Sequence, residues 1–185
     1  MGATYKFGWI PDNERRYEYQ NVFAVEKTPK LERLVIAPST DQVPLMVELL
    51  RVMPEPYGIL YVLVVPRSEA ETGRYQAADF KSRSETESFL SRFKEFFEND
   101  GRHHIWIASP PSPDMLVYDR HNVIYAYGRL PEFERIVVNR GLSKVEEVKF
   151  PSPHTHNYNE AFDLDEDGLL RYWPWVRSPL RDNDC

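Results

Sequence analysis

The chain has 185 residues, 42 % hydrophobic and 28 % charged, a composition that suits one globular domain and argues against long disorder. Its 23 basic and 29 acidic side chains leave a formal charge of −6, which disfavours nucleic-acid binding, because neutralising phosphates takes a basic face. The one cysteine, Cys185, excludes an intramolecular disulfide and with it a stapled secreted scaffold.

The first residues carry no basic region followed by an apolar run. Lys6 stands where a myristoylation pattern wants Ser or Thr. The longest apolar run, Ile59–Val65, is too short for a membrane span. The expectation is a soluble, cytoplasmic protein with no membrane contact.

Residues 4–10 and 21–26 read as short strands around a charged, solvated turn, Pro11 to Arg16. Leu34–Ala37 is a third strand, closed by Pro38. Ser39 or Thr40 is placed to cap a helix over 40–53, in which Val43, Met46, Val47, Leu50 and Met53 form one apolar stripe. Pro54–Gly58 stops it. The unbroken, β-branched run Ile59–Val65 predicts a central strand buried on both faces. A loop or edge strand follows near Arg74–Ala78.

The spacing of Phe89, Leu90, Phe93, Phe96 and Phe97 predicts a helix over 85–99. Ser84 and Glu87 form its capping box, and Asn99-Asp100-Gly101 its left-handed stop. His104–Ser109 is a strand, with one of His103 and His104 facing the core. Met115–Tyr118 and Val123–Tyr127 make a hairpin about Asp119–Asn122, where Asp and Asn tolerate positive φ. A helix from Pro131 buries Phe133, Ile136 and Val137 and ends at Gly141. Val145–Phe150 is one more strand. The fold class is therefore α+β, with an at least partly antiparallel sheet and about three helices. Parallel crossovers through the first two helices are also open. Residues 1–150 form the core domain. Residues 151–185, interrupted by Pro151, Pro153, Pro174 and Pro179, form an extension packed on it.

Three stretches carry candidate chemistry. In Pro153-His-Thr-His-Asn-Tyr-Asn-Glu160, an extended backbone points His154 and His156 the same way, with Glu160 as a carboxylate nearby. Two imidazoles and a carboxylate suit zinc or iron, and folding can add His121 or an aspartate. The His-x-His-x-x-x-Glu spacing resembles part of the cupin metal motif, but Val148 replaces its upstream glycine and too little chain remains for its second half. The plain alternative is a pair of histidines packed in a proline-bounded loop. Asp163, Asp165, Asp167 and Gly168 match the start of a calcium loop, yet Arg171 and Pro174 occupy its later ligand positions. A turn with Asp167-Gly168 at its tip is the simpler expectation, favoured over a helix. Tyr172, Trp173 and Trp175 either anchor the extension or, with the acidic residues, form a face for a basic protein partner.

No nucleophile elbow, phosphate loop or dinucleotide fingerprint is present. The favoured expectation is thus a non-catalytic interaction module of inhibitor or immunity type, without a cofactor. The alternative is a small metal-dependent hydrolase built on His154, His156 and Glu160.

Overall fold

The computed structural model describes residues 4–10, 15–28 and 31–184. The expected charged turn at 11–14 and Cys185 lie outside the described residues. In chain order the elements are β1 (Phe7–Trp9), β2 (Arg15–Arg16), β3 (Val22–Lys27), β4 (Glu32–Ala37), α1 (Gln42–Leu50), β5 (Gly58–Leu63) and β6 (Gly73–Ala77). Then come α2 (Arg83–Arg92), α3 (Lys94–Asn99), β7 (His103–Ala108), β8 (Met115–Tyr118), β9 (Ile124–Tyr127), α4 (Leu130–Asn139) and β10 (Ser143–Lys144). The chain closes with β11 (His154–His156), α5 (Asp163–Leu170) and β12 (Trp175–Ser178).

The fold is α+β. A nine-stranded sheet runs β10-β3-β4-β9-β8-β7-β5-β6-β12, and a three-stranded sheet runs β11-β1-β2. Every named strand pair is antiparallel except β10 with β3. Even so, α1 joins β4 to β5, and α2 with α3 joins β6 to β7, between strands that run the same way without being neighbours.

Strand alternation divides the large sheet into two faces. Leu34, Ile36, Tyr61, Ile105, Leu116 and Ile124 point to one side and pack with Leu45, Phe89, Phe97, Phe133 and Leu169 from the helices. Val35, Ala37 and Val123 point to the other and pack with Phe7, Tyr19 and Val148. The helices thus cover one face, while the small sheet and the irregular segment after β10 partly cover the other.

Several boundaries differ from the sequence expectation. Neither Ser39 nor Thr40 caps α1; Asp41 precedes it at φ 58° without a side-chain cap, and Glu98 of α3 accepts from the Val43 N–H at 2.8 Å. The capping box lies two residues earlier, on Ser82 and Glu85, while Glu87 pairs with Arg51. The 85–99 helix breaks at Phe93, though its aromatic face continues through Phe89, Phe93 and Phe97. Asp100 is extended instead of starting a left-handed stop. The strand expected over 145–150 does not form; pairing falls just before it, on Ser143–Lys144. The expected turn at Asp167-Gly168 is helical, because Phe162, Glu166 and Leu169 all face inward at helical spacing. The calcium-loop pattern is therefore not a loop.

The last helix, α5, is fixed by a buried charge. Arg102 is fully buried; its Nε donates to Asp100 Oδ1 at 2.7 Å, Nη1 to Glu166 Oε2 at 2.9 Å and Nη2 to the Asn159 carbonyl at 2.8 Å. Arg102→Met would leave Asp100 and Glu166 buried without their cation, and urea unfolding should register a loss of about 3–5 kcal/mol. A loss under about 1 kcal/mol would mean that the network is solvated.

His103 is fully buried among Tyr61, Phe96 and Phe97, and burial holds its pKa well below the usual imidazole value. Burial also pulls His104 down to about 4. Unfolded histidines take up protons near pH 6.5, so the unfolded state binds more protons below that pH. Stability should fall as pH drops from about 6.5 towards 4, by roughly 1.4 kcal/mol per pH unit for each histidine. The urea midpoint measured against pH checks this, and His103→Leu should remove one proton from the slope.

Candidate metal centre

β11 pairs with β1 in antiparallel register, His156 opposite Phe7 and His154 opposite Trp9. Alternation then puts both imidazoles on one side and Thr155 on the other. Two glycines let this strand approach. A Cβ at Gly8 would meet Thr155 Oγ1 at 2.6 Å, and one at Gly101 would meet the Lys6 carbonyl at 3.0 Å and His156 Cβ at 3.1 Å. The Gly101 N–H donates to the Asn157 carbonyl at 2.8 Å, tying the end of β11 to the start of β7.

His121 arrives from the β8–β9 turn. Asn122 adopts φ 62° there, and Asp119 Oδ1 accepts from the His121 and Val123 N–H groups at 2.8 and 3.2 Å. The three rings meet over Phe7, whose centroid lies 5.3 Å from His121, 5.3 Å from His154 and 5.5 Å from His156. One nitrogen or more of each histidine lies within 4.8 Å of those of the other two.

Each ring is held at Nδ1. His121 Nδ1 is 2.8 Å from Asp119 Oδ2, His154 Nδ1 is 3.0 Å from the Pro151 carbonyl, and His156 Nδ1 is 3.1 Å from the Arg120 carbonyl. All three partners are acceptors, so the neutral form of each ring carries its proton on Nδ1 and presents its lone pair at Nε2. Burial, then the charge of Arg120, pulls His156 down to about 3, keeping it neutral at ordinary pH. A tetrahedral zinc with Zn–N bonds of ~2.0–2.1 Å would need the nitrogens roughly 3.3 Å apart. Closing from 4.8 Å would take side-chain shifts on the order of 1 Å.

The triad forms one wall of a cleft of about 550 Å³ on the sheet face away from the helices. Arg33, His104, Trp106, Val117, Tyr125 and Tyr127 make its floor, at alternate positions of β4, β7, β8 and β9. Arg33 lies 4.3 Å over the Tyr125 ring and donates to Tyr127 Oη at 2.8 Å and to Glu26 at 2.5 Å. Below the site, Lys6 is fully buried; burial lowers it to about 7, and it donates to the Phe97 carbonyl at 3.0 Å.

His154 and His156 are thus joined by His121, and not by Glu160, which is exposed at the start of a 3-10 turn and outside the histidine group. The acidic and aromatic candidates lie elsewhere. Asp163 pairs with Arg67 and Arg102, and Asp167 is 3.7 Å from Arg171. Asp165 is half-buried on α5. Tyr172, Trp173 and Trp175 all pack against Phe89 of α2, with Trp173 stacked at 4.5 Å, and Trp175 Nε1 donates to the Leu169 carbonyl at 3.1 Å. The floor residues were missed in the sequence. Their signal was the alternation in β9, where Tyr125 and Tyr127 interleave with the core residues Ile124 and Ala126.

No family model, curated protein or solved structure matches the chain. Among the described residues no helix is long and apolar enough to cross a membrane.

The tautomers can be read by ¹⁵N NMR of labelled imidazoles in metal-free protein. In their neutral forms His154 and His156 should both show protonated Nδ1 and bare Nε2, and His156 should stay neutral down to about pH 4. An Nε2–H form of either ring would contradict this arrangement.

Proposed function

We propose that the protein is a metal-dependent hydrolase in which Nε2 of His121, His154 and His156 hold a zinc ion. The observation that carries this reading is the clustered triad with its outer layer: a ring nitrogen of each histidine lies within 4.8 Å of the others, and each Nδ1 is engaged by an acceptor, which leaves Nε2 free to bind. Such outer partners are what orient metal-binding imidazoles and raise their basicity. The donor set favours zinc over iron. Three imidazoles beside an open cleft suit a catalytic zinc, whereas the common non-haem iron set includes a carboxylate. The nearest carboxylate, Asp119, is spent on His121.

A zinc ion bound there would supply Lewis-acid polarisation and would lower the pKa of water enough for hydrolysis near neutral pH. The chain's own part is to hold the three rings over Phe7, to fix the His121 tautomer through Asp119, and to keep the aromatic floor at one side of the cleft. A second reading is the interaction module. It is supported by Leu164, 84 % exposed on α5 beside Asp165 and Asp167, which would offer a mixed apolar and acidic face.

Metal content by mass spectrometry, followed by a chelator competition, tests the proposal. Wild-type protein should hold about one zinc per chain. His121→Ala and the double variant His154→Ala/His156→Ala should lose it, and Glu160→Ala should keep it. Asp119→Asn retains an oxygen for the backbone but cannot accept from His121 Nδ1, so zinc affinity should drop roughly 10–100-fold. Wild-type protein that stays metal-free after zinc addition would overturn the proposal and leave the interaction module.

A further inference from the structure

The cleft beside the triad has a charge opposite to that of the chain. The whole protein carries −6. Yet the residues lining this cleft include two arginines, Arg33 and Arg120, and one acid, Asp119. Asp119 is buried and its oxygens serve His121 and the turn backbone. Arg33 is balanced by Glu26.

Arg120 is different. Its guanidinium has no hydrogen-bond or ion-pair partner among the described residues, although the side chain is half-buried. It stands between Asp119 and His121 in the turn, and its carbonyl holds His156, so its position relative to the triad is fixed by backbone contacts. The remaining polar side chains of the cleft, four imidazoles, two tyrosines and one tryptophan, bring no carboxylate to pair with it. His104, with its Nε2 buried and unpaired, also lines the cleft. A half-buried cation left unpaired in a protein rich in acids costs stability unless something outside the fold pairs with it.

We infer that Arg120 is the oxyanion-binding group of this cleft, and that the substrate carries a carboxylate or phosphate beside the bond to be broken. The inference rests on the metal-centre reading for its reaction, but not for its binding step. A guanidinium presents a planar fork of donors that matches both anions, and the pairing is strongest where water is partly excluded. The aromatic floor of Trp106, Tyr125 and Tyr127 leaves room for a flat body attached to that anion.

Calorimetric titration with phenyl phosphate and with benzoate tests this on zinc-loaded and chelator-treated protein. One or both probes should bind zinc-loaded wild-type protein, and the tighter of the two identifies the anion. Arg120→Gln should weaken that binding roughly ten- to hundredfold with zinc content unchanged. Arg120→Lys should recover part of it, since charge returns without the fork. Zinc-loaded protein that binds neither probe, or Arg120→Gln that binds as tightly as wild type, overturns the subsite while leaving the metal centre intact. Protein that takes up no zinc overturns the metal centre. In that case, Arg120-dependent binding by the metal-free chain still supports the subsite, and its absence removes it.

Discussion

Arg102 is fully buried and fully charged, so its guanidinium nitrogens must find oxygen partners inside the protein. Those partners come from distant parts of the chain: Asp100 after α3, Asn159 after β11, and Asp163 and Glu166 on α5. Asp100 in turn accepts from the Asn159 N–H at 2.7 Å, and Asn159 donates to the Asn99 carbonyl at 2.7 Å. One cation therefore ties the final segment to the edge of the helical layer. The segment between Phe150 and Asn159 is held at its far end by this network and at its middle by β1. That double attachment brings His154 and His156 over Phe7.

The two faces of the large sheet then divide the labour. The helical face is apolar, dense with aromatic rings, and closed by Tyr172, Trp173 and Trp175 packing on Phe89. Aromatic burial of this kind is worth several kcal/mol, at roughly 1.5–3 kcal/mol per large side chain. The opposite face has too little chain to cover it. The small sheet and Val148 seal one part, and the rest remains a cleft floored by side chains that strand alternation turns away from the core. The candidate site lies on this face, where side chains of rigid strands line an open cleft.

Burial also sets the protonation states. His103, His104 and His156 are all pushed towards neutrality, for the same reason: desolvation penalises the imidazolium form. In His103 the result is a packed aromatic surrogate among Tyr61, Phe96 and Phe97. In His156 the same physics, combined with a carbonyl at Nδ1, leaves a directed lone pair. Asp119 stays below the usual carboxylate range despite burial, because the His121 hydrogen bond and nearby cations offset desolvation. The site thus sets one ionised carboxylate, engaged by His121, beside an Arg120 guanidinium that has no partner among the described residues.

Local patterning determined much of this protein. Turn chemistry at Asp119–Asn122 marked the β8–β9 hairpin, helical spacing marked α1, the Phe-rich helices and α4, and the His-x-His repeat put two imidazoles on one side of an extended strand. These features depend on neighbours within a few residues, which is all that a single sequence displays. Tertiary contacts decided the rest. Glu98 replaced the expected cap of α1, and Arg102 stabilised a helix around Gly168 where turn chemistry favoured a bend. The third imidazole came from His121 across the gap between two sheets, and Glu160 was carried away by the turn that follows Asn159. Such outcomes hang on long-range packing and on the cost of unpaired buried charge, and neither has a signature in residue spacing.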